Sequence, residues 1–305
     1  MNERLGFPRE QKLLILNVDD LGNFDSTTRA AQQVFAAGVA KSGSVMTSGP
    51  QAQSVTSVLK GRVDLGIHLT LSSEFANRPW SPASSVDQVP SLVDSRGNLQ
   101  TILNQLLRGS SQEIEKEMEA QILKGFELGM SPSHLDSHMG SAFFKPSWFK
   151  SYLKLAKKYR VVPFLPRLAG GTRQLLGFAN YFLSPLIQSQ LKIAEDAGYL
   201  FVDDFYMLPP PAGVVSYETR KNQYAEVIRS LEAGVSLIVM HPTFSDFDFR
   251  AGVVVNNVSQ VFRDHEARIL MDPEFQELIR SEGIRLISWK EIADVYPWDD
   301  IKQID

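Results

Sequence analysis

Two aspartates stand side by side at the end of the first apolar run of this chain. The run begins at Leu13 and ends in Asp19 and Asp20. Adjacent carboxylates at such a place are costly unless they are paired, hydrogen-bonded or bound to a metal ion. Because successive side chains of a strand point to opposite faces, we expect the two to play different parts. The alternative is that one of them only caps the next helix.

Three histidines occupy comparable positions in other apolar runs. His68 lies within DLGIHLTL, and His241 ends LIVMH. His138 ends the segment SHLDSH, in which His134 and Asp136 would share its face of a strand. Each imidazole alone is also compatible with a hydrogen-bonded core or loop histidine. We expect His138 to be the ligand of this segment and Asp136 to orient an imidazole.

Taken together, these residues predict a catalytic centre. Parallel strands bring their C-terminal ends to one rim, and barrel enzymes place their active sites there. Two histidines and one carboxylate with open coordination positions suit a catalytic divalent metal ion. A second carboxylate and a third histidine remain, enough for a general base and a general acid.

The elements that must position these residues are short apolar runs alternating with amphipathic stretches. Strands are predicted at residues 13–20, 42–48, 63–71, 133–138, 161–167, 200–204, 236–242 and 284–288. About eight β–α units in series predict an α/β fold, a single TIM-barrel-like (β/α) domain over residues 1–305. An open doubly wound sheet is the alternative. The long segments 72–100, 169–185 and 244–258 interrupt this rhythm and are expected to be functional or disordered.

Composition excludes several classes of protein. The formal net charge of -4 over 305 residues argues against nucleic acid as the main partner. The absence of cysteine excludes disulfides and thiolate metal sites. The polar N-terminus lacks a signal or membrane segment, so we expect a soluble, cytoplasmic protein. Neither a dinucleotide fingerprint, a P-loop, a His-Glu-x-x-His motif nor a Gly-x-Ser-x-Gly elbow is present, which disfavours nucleotide-dependent chemistry and serine hydrolysis.

The same segments carry a resemblance over nearly the whole chain. In order they are LILNVDDLGNFDSTTRAAQQVFAAGVAKSGSVMTSGP, DLGIHLTL, PSHLDSHMG, a strand ending in Pro166 and Arg167, and IVMHP. They resemble the YdjC-like carbohydrate deacetylases, which include a chitooligosaccharide deacetylase and a hopanoid-biosynthesis deacetylase. The resemblance implies a barrel-like α/β fold. It also implies removal of an acetyl group from an N-acetylated sugar, chitooligosaccharide-like or sugar-lipid, by attack of a metal-bound water.

The resemblance further implies a role for individual residues. One divalent metal ion, magnesium or zinc, would be bound by Asp20, His68 and His138. Asp19 would act as the base and His241 as the acid that protonates the leaving amine. Arg167 matches a family arginine near the site and would orient a catalytic or substrate carboxylate.

Three features bear on the substrate. The family often has a further histidine where this chain has Gly140, which opens space beside the site. Phe143 and Phe144 follow the segment PSHLDSHMG and form either part of the core or a wall on which a sugar stacks. The insertion 72–100 could cover or reshape the sugar cleft.

Two other functions remain open at this point. A metal-dependent phosphoesterase on a similar barrel would use the same types of ligand. A catalytically silent carbohydrate-binding protein would keep the aromatic side chains and release no product. A ring of exposed helices also makes a homodimer possible.

Overall fold

The computed structural model describes residues 1–75, 77–167, 184–246, 249–250 and 257–304. Its strands are β1 (Lys12–Leu21), β2 (Ser42–Val45), β3 (Asp64–Leu69), β4 (His134–Ser137), β5 (Val162–Pro163), β6 (Asp204–Tyr206), β7 (Gly234–Met240) and β8 (Arg285–Leu286). They are largely buried, as parallel strands covered by helices on one face and by core on the other should be.

Helices follow most of the strands. They are α1 (Asp25–Ala37), α2 (Ala52–Leu59), α3 (Ile102–Arg108), α4 (Ser111–Glu127), α5 (Pro146–Tyr159), α6 (Ser184–Ala197), α7 (Tyr217–Ser230), α8 (Asn257–Met271), α9 (Pro273–Ser281) and α10 (Trp289–Asp294). None of the described helices is both long and apolar enough to cross a membrane.

The strands form one parallel sheet in the order β5-β4-β3-β2-β1-β7-β6. A bridge between Pro166 and Val202 links the segment after β5 to the segment before β6, so the sheet curls toward closure. Going round this sheet the strands follow chain order, as in a barrel and unlike a doubly wound sheet. The prediction of an α/β, TIM-barrel-like fold with parallel strands is confirmed.

The eighth strand departs from an ideal barrel. Leu13 of β1 pairs with Val235 of β7 and also with Arg285 of β8, so β7 and β8 occupy opposite edges of β1. The pairing of β1 with β2 begins only at Asn17. We infer that β8 pairs with the N-terminal part of β1, on the same edge that β2 uses further along that strand, and that it does not lie between β7 and β1.

Several strands are shorter than predicted. The predicted strand 133–138 ends at Ser137, and His138 begins a 3-10 turn, His138–Phe143. Met139 and Gly140 have φ values of 54° and 63°, so the chain turns away from the sheet there. The predicted strand 161–167 contains only Val162–Pro163, where proline removes a backbone donor.

The segment 72–100 is tied to helix α4. Glu117 accepts hydrogen bonds from the backbone N–H of Ala83 and of Ser84, at 2.8 and 2.9 Å. Glu113 accepts one from the backbone N–H of Ser91 at 2.7 Å. The described part of this segment is therefore an ordered part of the fold. Large parts of the other two long segments, residues 169–183, 247–248 and 251–256, lie outside the described residues.

Candidate metal centre and active site

The last residues of β1 place two carboxylates against one imidazole. Asp20 has a φ of 61°, and the pairing of β1 with β2 shifts register between Val18 and Leu21. This kink turns both aspartates toward His68, whose Nδ1 lies 3.9 Å from Asp19 Oδ2 and whose Nε2 lies 3.3 Å from Asp20 Oδ1. The expectation that they point to opposite faces is therefore wrong, because it assumed a regular strand.

Three donor atoms form a nearly equilateral triangle. Asp20 Oδ1 lies 3.3 Å from His68 Nε2 and 3.1 Å from His138 Nδ1, and the two nitrogens are 3.3 Å apart. All three side chains are buried, and among the described residues Oδ1 of Asp20 makes no hydrogen bond. Bonds of about 2.1 Å to a shared zinc or magnesium ion put neighbouring ligand atoms roughly 3.0–3.4 Å apart. The three residues therefore fit one divalent cation.

The other atoms of these ligands are held by charged partners. Asp136 Oδ1 lies 2.7 Å from His68 Nδ1, which places the ring proton there and leaves Nε2 free to bind a cation. The Arg263 guanidinium donates to Asp20 Oδ2 at 2.7 Å. Burial opposes ionisation of Asp20, but the charges of Arg263 and His138 outweigh it and hold its pKa well below the ordinary value. Burial likewise opposes protonation of His68, yet Asp136 raises the pKa of that imidazole.

A second, overlapping group of potential ligands contains Asp19, His68 and Asp136. In this group His68 would use Nδ1, the nitrogen already bonded to Asp136. Asn17 Nδ2 donates to Asp19 Oδ1 at 2.6 Å and approaches Asp136 Oδ2 at 3.4 Å. Since these carboxylates already have partners, the group of Asp20, His68 and His138 is the better cation site.

Asp19 is a buried carboxylate beside this site. It accepts hydrogen bonds from Asn17 and, at 3.3 Å, from the Ser44 hydroxyl. Burial and the neighbouring charge of Asp136 raise the pKa of Asp19 well above its ordinary value. A carboxylate with a raised pKa next to a cation site is suited to accept a proton.

His241 follows β7 and is 19 % exposed. Its backbone N–H donates to Glu266 Oε2 at 2.7 Å, which fixes the peptide that carries the ring. Burial lowers the pKa of His241 to about 4, an effect that Asp20 opposes and Arg263 reinforces. The imidazole is therefore neutral at pH 7 in the resting site.

Helix α8 contributes two charged residues that the sequence reasoning missed. Arg263 reaches Asp20, and Glu266 forms a buried ion pair with Arg220 of α7 at 2.9 Å. The Tyr224 hydroxyl donates to the same Glu266 carboxylate at 2.6 Å. The available signal was the spacing of Arg263 and Glu266, three residues apart and hence on one helix face. Because the sequence does not show which face of the helix is buried, this spacing is equally typical of an ordinary ion pair on the surface.

Arg167 lies in different surroundings. Its side chain is 52 % exposed, 3.4 Å from Glu195 and 3.7 Å from Asp203, and its guanidinium lies over the Phe201 ring. Within the described part of the chain, none of these contacts joins Arg167 to the metal ligands. Its role toward a carboxylate of the site stays a prediction.

His134 shares strand β4 with Asp136 but lies at the strand's other end. Its ring stacks on Trp289 with centroids 5.0 Å apart, and Ser133 lies within hydrogen-bond distance of Nδ1. A Cβ on Gly66 would lie 2.4 Å from this ring, so the packing is tight. The strand therefore does not bring its two imidazoles together, and His134 is a core residue.

Phe143 and Phe144, expected either in the core or in a wall on which a sugar stacks, both pack against the core. Phe143 lies against Phe149 and Tyr152, and Phe144 is also partly buried against the core. An aromatic ring that does lie beside the candidate ligands is that of Trp80, whose centroid is 6.1 Å from that of His138. Among the described residues, a Cβ on Gly140 would meet nothing within 4 Å.

Comparison with known proteins agrees with this geometry. The family model described as YdjC-like protein matches residues 13–281. A carbohydrate deacetylase of Thermus thermophilus is 34% identical over 250 residues, covering 82% of this chain and 84% of the relative. A carbohydrate deacetylase of Thermoanaerobacter pseudethanolicus is 28% identical, covering 91% and 98%.

A solved structure shows the same fold. It is that of an Enterococcus faecalis V583 protein assigned to cellobiose-phosphate cleavage, with a TM-score of 0.73 and 23% identity. The match covers 92% of this chain and 99% of that one. With its family model spanning β1 to α9 and a relative above 30% identity along most of both chains, this chain belongs to the YdjC-like protein family.

Proposed function

We propose that this protein is a metal-dependent carbohydrate deacetylase that hydrolyses the acetamide of a small N-acetylated sugar. The observation that carries the proposal is the triangle of Asp20, His68 and His138 donor atoms beside the buried carboxylate of Asp19. The relatives named carbohydrate deacetylases supply the class of substrate. Chitooligosaccharide-like and sugar-lipid substrates both fit the proposal.

The three ligands would hold one magnesium or zinc ion. Such an ion, when bound, polarises the amide carbonyl and lowers the pKa of water, to about 7 in the case of zinc. The protein's part is to keep Asp20 ionised through Arg263 and to keep the free nitrogen of His68 turned inward through Asp136.

Asp19 would accept the proton of the attacking water. The amide of Asn17 and the hydroxyl of Ser44 fix its position, and its raised pKa strengthens it as a base. Its Oδ2 lies 3.9 Å from Nδ1 of His68, the imidazole whose other nitrogen belongs to the ligand triangle.

His241 would deliver a proton to the leaving nitrogen. Because its pKa is about 4, the ring is neutral at rest, and the proton that it delivers would be the one that the attacking water releases to Asp19. Once protonated, a ring with so low a pKa is a strong acid toward the leaving nitrogen as the C–N bond breaks. Glu266 fixes the His241 peptide at the end of β7.

The proposal also includes the roles expected of three further residues. Arg167 would orient a catalytic or substrate carboxylate, and Phe143 and Phe144 would contact the sugar.

The test is acetate release from diacetylchitobiose by purified protein. We expect release that EDTA abolishes and that added zinc or magnesium restores, with Asp19→Asn as the inactive control. Hydrolysis of an aryl phosphate without acetate release would instead favour the phosphoesterase. If neither acetate is released from a range of N-acetylated sugars nor phosphate from the aryl phosphate, the carbohydrate-binding protein is favoured and the proposal is refuted.

A further inference from the structure

Each proposed ligand imidazole has one ring nitrogen that faces the cation site and one, called the outer nitrogen, that does not. The surroundings of the outer nitrogen differ between the two rings. In His68 the outer nitrogen is Nδ1, and Asp136 Oδ1 lies 2.7 Å from it. In His138 the outer nitrogen is Nε2, which is buried and has no hydrogen-bond partner among the described residues. That nitrogen faces Glu74 Oε1 at 3.6 Å.

We propose that Glu74 is the positioning carboxylate of His138, so that the segment 72–100 is a working part of the metal centre. The inference rests on the proposed function, because it requires a cation on Nδ1 of His138. With Nδ1 bound to a cation, the ring proton must lie on Nε2, where it points at a carboxylate. The distance exceeds a good hydrogen bond by a few tenths of an ångström.

The Glu74 side chain is free enough to close that gap. It is 28 % exposed and lies at the edge of the site, whereas the His138 side chain is only 6 % exposed. A rotation of a partly exposed glutamate costs little compared with leaving a buried ring N–H unpaired. We therefore expect Glu74 to approach His138 when a cation binds.

The backbone on both sides of Glu74 is fixed. Before it, Gln121 of α4 bonds both the N–H and the C=O of Thr70, at 2.8 and 2.6 Å. The Trp80 indole donates to the Ser72 carbonyl at 3.0 Å, which links the chain after Glu74 to the chain before it. The Trp80 ring also contacts His138 edge to face. His138 is thus flanked by Trp80 and Glu74, both from this segment.

The experiment measures zinc affinity without any substrate, by competition with a chromophoric chelator. We expect Glu74→Ala to bind zinc about 10–100-fold more weakly than the wild type, the usual effect of losing such a partner. Glu74→Gln should lose less, because its amide oxygen still accepts from Nε2–H. Asp87→Ala is the control, since it removes a carboxylate of the same segment that pairs with Ser85.

The outcomes separate this inference from the proposed function. Wild-type affinity in Glu74→Ala, with or without a raised KM for sugar, would show that Glu74 does not position His138, while the metal centre itself would stand. A wild-type protein that binds neither zinc nor magnesium would refute both. Thermal melts of Glu74→Ala and Glu74→Gln in EDTA should match the wild type, so that weaker binding reflects the site and not the fold.

Discussion

Asp19 and Asp136 are two buried carboxylates beside Nδ1 of His68, with the single amide of Asn17 approaching both. They differ in their partners. Asp136 lies 2.7 Å from the imidazole, and despite its burial the charge of His68 lowers its pKa. Asp19 is 3.9 Å from the same ring, and its pKa is raised. The site thus separates a permanently charged orienting group from one able to take up a proton.

Replacing Asp19 should separate activity from stability. We expect Asp19→Asn to keep zinc binding and to lose about 10²–10⁴-fold in turnover, the usual contribution of a general base. Because the folded-state pKa of Asp19 is raised, its ionisation destabilises the fold. That destabilisation is absent below the ordinary pKa of 3.8 and grows as pH rises through the folded value.

Thermal melts in EDTA across a range of pH test the second part. The variant should melt above the wild type at neutral pH, with the gap closing toward pH 4. Asp299→Asn, at an exposed site paired with Arg160, should show no such trend. Wild-type turnover in Asp19→Asn would remove the base assignment.

The pH profile should identify the resting state of His241. With its pKa near 4, the ring is neutral throughout the neutral range. If catalysis required it to be protonated before substrate binds, kcat/KM would fall about tenfold per pH unit above that value. We expect instead no fall in kcat/KM between about pH 6 and 8, because the proton that His241 delivers is released by the attacking water during the reaction. A steady decline over this range would mean that His241 enters protonated.

At the scale of elements, the sequence predicted the site residues whose positions depend on where the strands end. Asp20, His68 and His138 come together because parallel strands end at one rim, and the alternation of apolar runs makes those ends visible. Arg263 and Glu74 were not predictable in the same way. Arg263 depends on which face of α8 packs against the strand ends, and Glu74 depends on how an irregular segment folds back. Both positions depend on tertiary packing, which leaves no periodic pattern in the sequence.

The kink at Asp20 shows a further limit. Period-two alternation separates neighbouring aspartates, but a positive φ at one of them brings both to His68. Such strain typically costs about 1–3 kcal/mol and persists at functional sites where the surroundings enforce it. Here the Arg263 ion pair holds the Asp20 carboxylate in place.

Helices α7 and α8 are joined by a buried ion pair whose loss should be severe. Glu266→Gln leaves the Arg220 guanidinium buried without its counter-charge, and we expect the free energy of unfolding to fall by about 3–5 kcal/mol. Tyr224→Phe, which removes only a hydroxyl from the same carboxylate, should cost about 0.5–1.5 kcal/mol.

Urea titrations of Arg220→Met, of Glu266→Gln and of the double variant Arg220→Met/Glu266→Gln test this pair. The double variant should be more stable than the sum of its single losses predicts, because it no longer buries an unpaired charge. Strict additivity would mean that the two side chains act independently.

At the scale of the whole molecule, the proposed ligands join parts of the chain that are far apart in sequence. Asp20 ends β1, His68 lies in β3 and His138 follows β4, while Arg263 reaches in from α8. A cation at their meeting point would connect neighbouring strands across the rim. It would also offset the mutual repulsion of the buried carboxylates Asp19, Asp20 and Asp136. Binding should therefore be visible in the melting of the entire fold.

Zinc should raise the melting temperature through this linkage. At 100 times the dissociation constant a ligand stabilises the folded state by about 2.7 kcal/mol. At roughly 2 °C per kcal/mol for a chain of this size, we expect a shift of about 5 °C. His138→Ala should abolish the shift, whereas Asp136→Asn, whose amide oxygen can still accept from His68 Nδ1, should keep most of it. The reverse pattern, loss in Asp136→Asn and retention in His138→Ala, would place the cation between Asp19, His68 and Asp136, because only that group lacks His138. The two variants thus decide between the overlapping sites without reference to activity.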